Sequence, residues 1–379
     1  MGKIYKRLAL LICACMIMLC GCSANESAKK GKPITDDLSS EELYEAALSE
    51  DTLVVYTVST RVVETKEAFE KAYPGLFVEV RDLRSPNLID EIETGAKNGS
   101  HMCDVVLCND NSGEFKSRLV DTGIVIPYLP KDIASHMKNR DTDGIVSFLN
   151  EAELLFYSTK HFSECPIENI WELTDEKYKG RIYMPNPLRS FSTYAFCASS
   201  LEYSDEFEAS YTQYFGEKPA LSDSGNAAKL FWKSVSKNIV FTNSSDEVTE
   251  ALNDGKADFG WCVSSKMRLS DVGYSLAPVY KLRPFSGCRT SYAVMLTADC
   301  RNVSSAKLFV RFLLGESDGQ GEGYKPFCTV GTWSVREDVP DGNEVPLEDI
   351  DLIMPDQEKL IAGKAETVSF WTDLLKGNQ

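Results

Sequence analysis

The sequence predicts an α/β protein of two lobes, each a mixed, mostly parallel sheet flanked by helices, with a ligand cleft between them. Three observations carry that expectation. From residue 53 to 108, apolar β-branched runs alternate with amphipathic stretches in the order β-α-β-α-β, which calls for right-handed crossovers and a parallel sheet. The same alternation restarts after residue 154. The segments that follow the strands are rich in Ser, Thr, Asn and Arg, and open α/β sheets bind ligands beyond the C-terminal ends of their strands.

The N-terminus reads as an export signal. Lys3, Lys6 and Arg7 precede an unbroken apolar run over residues 8–19. That run is short of the roughly 20 residues a membrane-spanning helix needs and fits the apolar core of a signal peptide. Leu19-Cys20-Gly21-Cys22 then resembles a bacterial lipobox, with a small residue before the cysteine that is lipidated. Residues 1–21 are therefore expected to be a lipoprotein signal peptide. Cys22 would be a lipid anchor in the bilayer, its two acyl chains sufficing for stable attachment. The protein would then sit on the outer, or periplasmic, face of the bacterial cytoplasmic membrane. Ser, Lys, Asp and Glu dominate the following stretch, so residues 22–50 are expected to be a flexible tether.

The globular part begins with a buried strand at 53–58, a helix at 61–72 stopped by Pro74-Gly75, and a strand at 76–80. A helix at 88–96 and a strand at 104–108 complete the first block. The second block has short strands at 154–157 and 181–184, helices at 192–201 and 226–235, and a strand at 239–241. Ser244 to Glu247 forms a capping signal for a helix through 253, followed by a strand at 257–263. A strand at 292–296, a helix at 304–314 and a helical tail over 356–375 close the chain.

Composition excludes several functions. The chain is 43% hydrophobic and carries a net charge of −17. Removing the signal takes three of the 40 basic residues and none of the 57 acidic ones, leaving −20. That weighs against nucleic-acid binding, which wants a basic face. Eight cysteines remain after Cys22 and none forms a CxxC pair, so they read as small buried hydrophobes in preference to disulfide partners. The three histidines form no ligand-spaced cluster, so no metal site or cofactor is expected. No GxSxG elbow, HExxH motif or P-loop occurs, and no enzyme activity is expected.

Several segments then resemble one family. Leu53-Val54-Val55-Tyr56, Ala68-Phe69-Glu70-Lys71-Ala72-Tyr73-Pro74-Gly75 and Val78-Glu79-Val80 are similar to the opening of the ABC-importer solute-binding proteins of the ferric-iron, thiamine and phosphonate type. Asp104-Val105-Val106, the stretch Tyr178-Lys179-Gly180-Arg181-Ile182, the stretch Gly255-Lys256-Ala257-Asp258 and the helix from Ala306 resemble later motifs of that family, in the same order. The resemblance implies a type II periplasmic-binding-protein fold that closes on ligand about a hinge. Residues 51–150 with 288–315 would form lobe 1, and 155–285 with 316–379 lobe 2. The strand crossings would fall near 154–157 and 280–289. It implies a protein that hands a small-molecule ligand to a membrane ABC permease, or a sensor that presents the closed form to a membrane kinase; charge and composition point to a monomer.

The candidate ligand contacts stand after the strands. They are Ser59, Thr60 and Arg61; Asp110 and Ser112, beside Asn109 and Asn111; Arg189, Ser190, Ser192 and Thr193; Ser264 and Ser265; and Arg289 on the return crossing. Hydroxyls and free N–H groups at a helix N-terminus suit an anion, and Arg61 or Arg189 would add a forked, charge-assisted contact. Ser192 and Thr193 equally suit helix capping, and Trp261, inside a strand, reads as core. The ferric-iron members carry paired tyrosines where this sequence has Val263-Ser264-Ser265. Without those oxygen ligands a phosphonate or phosphate ester is the better expectation, with ferric iron and a thiamine-type ligand as alternatives.

Overall fold

A computed structural model describes residues 35–138, 144–221 and 225–377. The signal peptide, Cys22 and the first part of the tether lie outside the described residues. The rest of the tether departs from expectation, because α1 (Ser40–Ala47) is a helix. The Ser39 hydroxyl accepts from the Glu42 N–H at 3.2 Å, and the Glu42 carboxylate accepts from the Ser39 N–H at 2.9 Å. Leu43 and Ala47, four residues apart, pack into the core beside Phe309 and Leu313. Just before the helix, Asp36 accepts from Lys307 at 2.6 Å and from the Tyr128 hydroxyl at 3.1 Å. A short apolar stripe inside a polar stretch is diluted when composition is averaged. Ser39→Ala should cost about 1 kcal/mol of stability, read as a lower urea midpoint. An unchanged midpoint would mean that α1 adds nothing to the fold.

The first block follows in order: β1 (Leu53–Thr57), α2 (Val62–Ala72), β2 (Val78–Asp82), α3 (Ser85–Asn98) and β3 (Val105–Asn109). β1 lies between β2 and β3 and is parallel to both. Then come β4 (Val125–Ile126), α4 (Lys131–Ala134) and β5 (Ser147–Ser158). β5 is 12 residues long, and the sequence marks only its last part.

The second block comprises β6 (Ile182–Pro185), α5 (Phe191–Ser200), α6 (Ser204–Phe215), α7 (Ala227–Val235), β7 (Ile239–Thr242), α8 (Ser245–Asp254), β8 (Phe259–Val263) and β9 (Leu276–Pro278). β10 (Gly287–Thr297) and α9 (Val303–Leu313) return the chain to the first block. Two short strands, β11 (Trp333–Ser334) and β12 (Leu352–Ile353), lead to α10 (Gln357–Ala362) and α11 (Lys364–Gly377). The tail expected as one helix is thus two, with Gly363 between them.

The main sheet runs β2-β1-β3-β10-β5-β8-β6-β7. β10 and β5 are its antiparallel centre, paired from Gly287↔Leu154 to Ala293↔Ser147. β3 joins β10, and β8 joins β5, both antiparallel. Two parallel groups are therefore linked by one long pair that passes through both. Each group has its own core. Val55, Phe69, Leu107 and Phe309 belong to one, and Trp171, Phe196, Trp232 and Trp261 to the other. Trp261 is fully buried there, as its place inside a strand suggested. The eight cysteines are unpaired and five are buried. Among the described residues no helix is long and apolar enough to cross a membrane.

Candidate functional site

The crossing pair carries acids where a buried strand should carry none. Side chains alternate along a strand, so Glu151 and Glu153 of β5 share one face, opposite Thr290 and Cys288 of β10. Glu151 is 8% exposed and Glu153 fully buried. The Tyr292 hydroxyl donates to Glu151 at 3.0 Å. Burial raises the Glu151 pKa, against the opposing pull of Arg61, hydrogen bonds from Tyr292 and Ser265, and Arg268. Arg61 follows β1, whereas Ser265 and Arg268 follow β8. Strand ends from both blocks thus converge on one carboxylate. Arg61 is steadied by a 3.3 Å bond from Nη1 to the Thr329 hydroxyl.

Glu153 faces the start of α5. The Thr193 hydroxyl donates to its Oε1 at 2.7 Å and lies 2.9 Å from the Ser190 hydroxyl. Ser190 and Ser192 hydroxyls are 3.5 Å apart. No side chain caps the helix, and the backbone N–H groups of Phe191, Ser192 and Thr193 have no acceptor among the described residues. The other Glu153 oxygen, Oε2, is buried without a partner, as is the Thr290 hydroxyl. Burial raises the Glu153 pKa to about 7, and the hydrogen bond from Thr193 and the neighbouring Ser192 hydroxyl oppose the shift. Near neutrality this carboxyl holds a proton for much of the time, and its O–H has nothing to donate to. Buried polar groups are nearly always paired, and this carboxyl oxygen has no partner among the described residues.

The other expected contacts sit differently. Ser59 is half-buried after β1, its N–H bonded to the Thr57 hydroxyl at 3.0 Å, and Thr60 is exposed. Asp110 accepts from the backbone N–H groups of Phe115 at 3.2 Å and Lys116 at 2.8 Å, so its carboxylate holds a turn. Ser112 donates to Glu114 at 3.1 Å. Arg189 is exposed and reaches Asn243 at 3.1 Å. The Ser264 hydroxyl accepts from the Ala152 N–H at 2.9 Å and donates to the Gly331 carbonyl at 2.6 Å, a structural tie between segments. Arg289 projects from the opposite face of the pair, beside Asn150. The structure therefore gathers Arg61, Ser190, Ser192, Thr193 and Ser265 around the acid face and leaves Arg189 and Arg289 outside it.

Glu151, Glu153, Arg268 and Thr290 escaped the sequence reading. One signal was available. Two acids two residues apart, between Leu149 and Leu154, break an otherwise buried strand, and such residues in a sheet centre are paired or functional. Among the described residues no group of three or more His, Cys, Asp or Glu is arranged to hold a metal ion.

The sequence pattern of the bacterial extracellular solute-binding protein family matches residues 64–349. Among solved structures, the periplasmic binding protein AfuA from Actinobacillus pleuropneumoniae, with exogenous fructose-6-phosphate bound, is 20% identical. That match covers 86% of this chain and 98% of AfuA with a TM-score of 0.62. Iron-bound HitA from Pseudomonas aeruginosa is 15% identical over 85% of this chain and 99% of its own, with a TM-score of 0.61. The apo ferric ion-binding protein A of Pasteurella haemolytica is 15% identical over 85% and 97%, with a TM-score of 0.62. At these identities the likeness is one of fold, the two-lobed type II periplasmic-binding-protein fold. No curated protein matches the sequence.

Proposed function

Because the chain belongs to the bacterial extracellular solute-binding proteins, we propose that it captures a small phosphorylated ligand between its lobes and hands it to an ABC permease. In this reading the protein is exported and held at the membrane through Cys22. The ligand is a phosphate ester or a phosphonate. Its phosphoryl group sits at the N-terminus of α5, where three free backbone N–H groups and the positive end of the helix favour an anion. The hydroxyls of Ser190 and Ser192 donate to it, and neutral Glu153 gives its O–H to a phosphoryl oxygen. From the other lobe, Ser59 and Thr60 close over the ligand. Arg61 and Arg268 oppose the effect of burial on Glu151, whose oxygens accept from ligand hydroxyls. β5 and β10 bend as the hinge. Nothing in the cycle makes or breaks a covalent bond.

The observation that carries this reading is the unpartnered Glu153 Oε2 beside an uncapped helix start. The fructose-6-phosphate in the AfuA structure supports the ligand class and belongs to that protein. Calorimetry with glucose 6-phosphate, glycerol 3-phosphate and 2-aminoethylphosphonate tests it. At least one should bind saturably, and Ser192→Ala should weaken that binding about tenfold, the worth of one hydrogen bond to a charged group. Binding of ferric iron with none of the three would refute the phosphoryl site.

A further inference from the structure

The other face of the crossing pair has its own incomplete polar site. Alternation turns Asn150, Arg289 and Ser291 into a groove of about 940 Å³. Lys116, Lys138, Glu348, Met354 and Gln357 also line it. Asn150 is 4% exposed. Its Oδ1 accepts from Arg289 Nε at 3.1 Å, from Arg289 Nη2 at 2.8 Å and from the Ser291 hydroxyl at 2.8 Å. Arg289 Nη1 has only the Met354 sulfur, at 3.9 Å. No carboxylate pairs with Arg289 among the described residues.

A half-buried guanidinium held by a neutral amide keeps an uncompensated charge, which costs free energy unless something anionic completes it. Burial accordingly pulls the Arg289 pKa down, with Glu348 opposing. Gln357 is part of the same lining, and its Oε1 is buried and has no donor. The lining thus wants both an acceptor with negative charge and a donor. It also carries Glu348, Asp356 and Glu358, which disfavour a doubly charged occupant. A carboxylate with hydroxyl groups on the same small molecule meets all three conditions.

We infer that this groove is a second ligand site, separate from the Glu153 face, for a small polyhydroxy monocarboxylate of the sugar-acid class. The carboxylate takes the free side of the Arg289 fork, and a hydroxyl donates to Gln357 Oε1. The Lys116–Glu358 ion pair, 3.4 Å long, belongs to the same lining.

D-Gluconate is the probe, with D-glucose and sulfate as comparisons, titrated calorimetrically into the purified protein. Gluconate should bind at one site per chain. Arg289→Gln and Gln357→Leu should each weaken it at least tenfold with an unchanged circular dichroism spectrum. Ser192→Ala, on the opposite face, should leave gluconate affinity as it is, so this site stands or falls apart from the phosphoryl site. If Arg289→Gln does not fold, Gln357→Leu decides alone. No gluconate binding, equal binding of glucose or sulfate, or loss on Ser192→Ala with retention in Gln357→Leu would each overturn the inference.

Discussion

Raising the pH from 7 to 9 is expected to weaken phosphate-ester binding roughly fiftyfold, and Glu153→Gln to remove most of that loss. Free Glu153 titrates at about 7 because burial opposes its charged form. The proposed complex needs the proton, since a carboxylate beside a phosphoryl group would set two anions against each other. Above the free pKa the competent fraction falls tenfold for each pH unit. Below about pH 6 the ester itself loses its second charge, so affinity should peak between about 6 and 7. Glutamine keeps an N–H donor at that position at every pH and should flatten the alkaline limb. Calorimetric titrations at half-unit steps test this. An alkaline limb of equal steepness in the glutamine variant would show that another group carries the dependence.

The same shift acts on stability, and its sign is fixed. The folded carboxyl titrates at about 7, above its ordinary 4.5, so the folded state holds the proton more tightly than the unfolded chain. The contribution is fully present below about pH 4.5 and is lost as the pH rises through about 7, about 3 kcal/mol in all. Glu153→Gln should therefore be more stable than the parent at pH 8 and gain little at pH 4. Urea melts at the two values compare them directly.

How far these features were legible in the sequence depends on what each element buries. β1, β3 and β8 are uniform apolar runs, buried on both faces, and the sequence locates them within a residue or two. β5 was read only over 154–157 because Asn150, Glu151 and Glu153 interrupt its apolar pattern, and those interruptions are the site itself. Polar residues forced into a sheet centre disguise the strand that carries them. α6 escaped because its buried side chains are only Phe207 and Ser210, too few for a stripe. On the site, the rule that ligands gather beyond strand ends named Arg61, Ser190, Ser192 and Ser265. It does not reach the middle of a crossing strand, where the facing residue is set by register. The Gly287↔Leu154 pairing, which puts Thr290 against Glu151, exists only once the chain has folded.

That pairing makes Gly287 the second position of large expected effect. A Cβ there would lie 1.9 Å from the Glu153 carbonyl oxygen, 2.9 Å from its carbonyl carbon and 3.0 Å from Leu154 Cα. All three are backbone atoms of β5, so no side chain can swing aside. The backbone of Gly287 is not left-handed, so conformational freedom is not what requires glycine; close approach is. Alanine must push the crossing strands apart by more than an ångström where they are paired on both edges. Overpacking of this kind should cost about 3 kcal/mol. The displaced residue is Glu153, so ligand affinity should fall together with stability. Gly99→Ala is the control. Nothing lies within 4 Å of its added Cβ, and its φ of +67° should cost only about 1 kcal/mol with no effect on affinity. Urea melts and calorimetry on the two variants separate these cases. If Gly287→Ala kept the parental midpoint and affinity, the crossing pair would be compliant enough to absorb an ångström of separation. Glu153 would then not be held by its backbone, and the carboxyl position on which the phosphoryl site depends would have to be fixed by Thr193 alone.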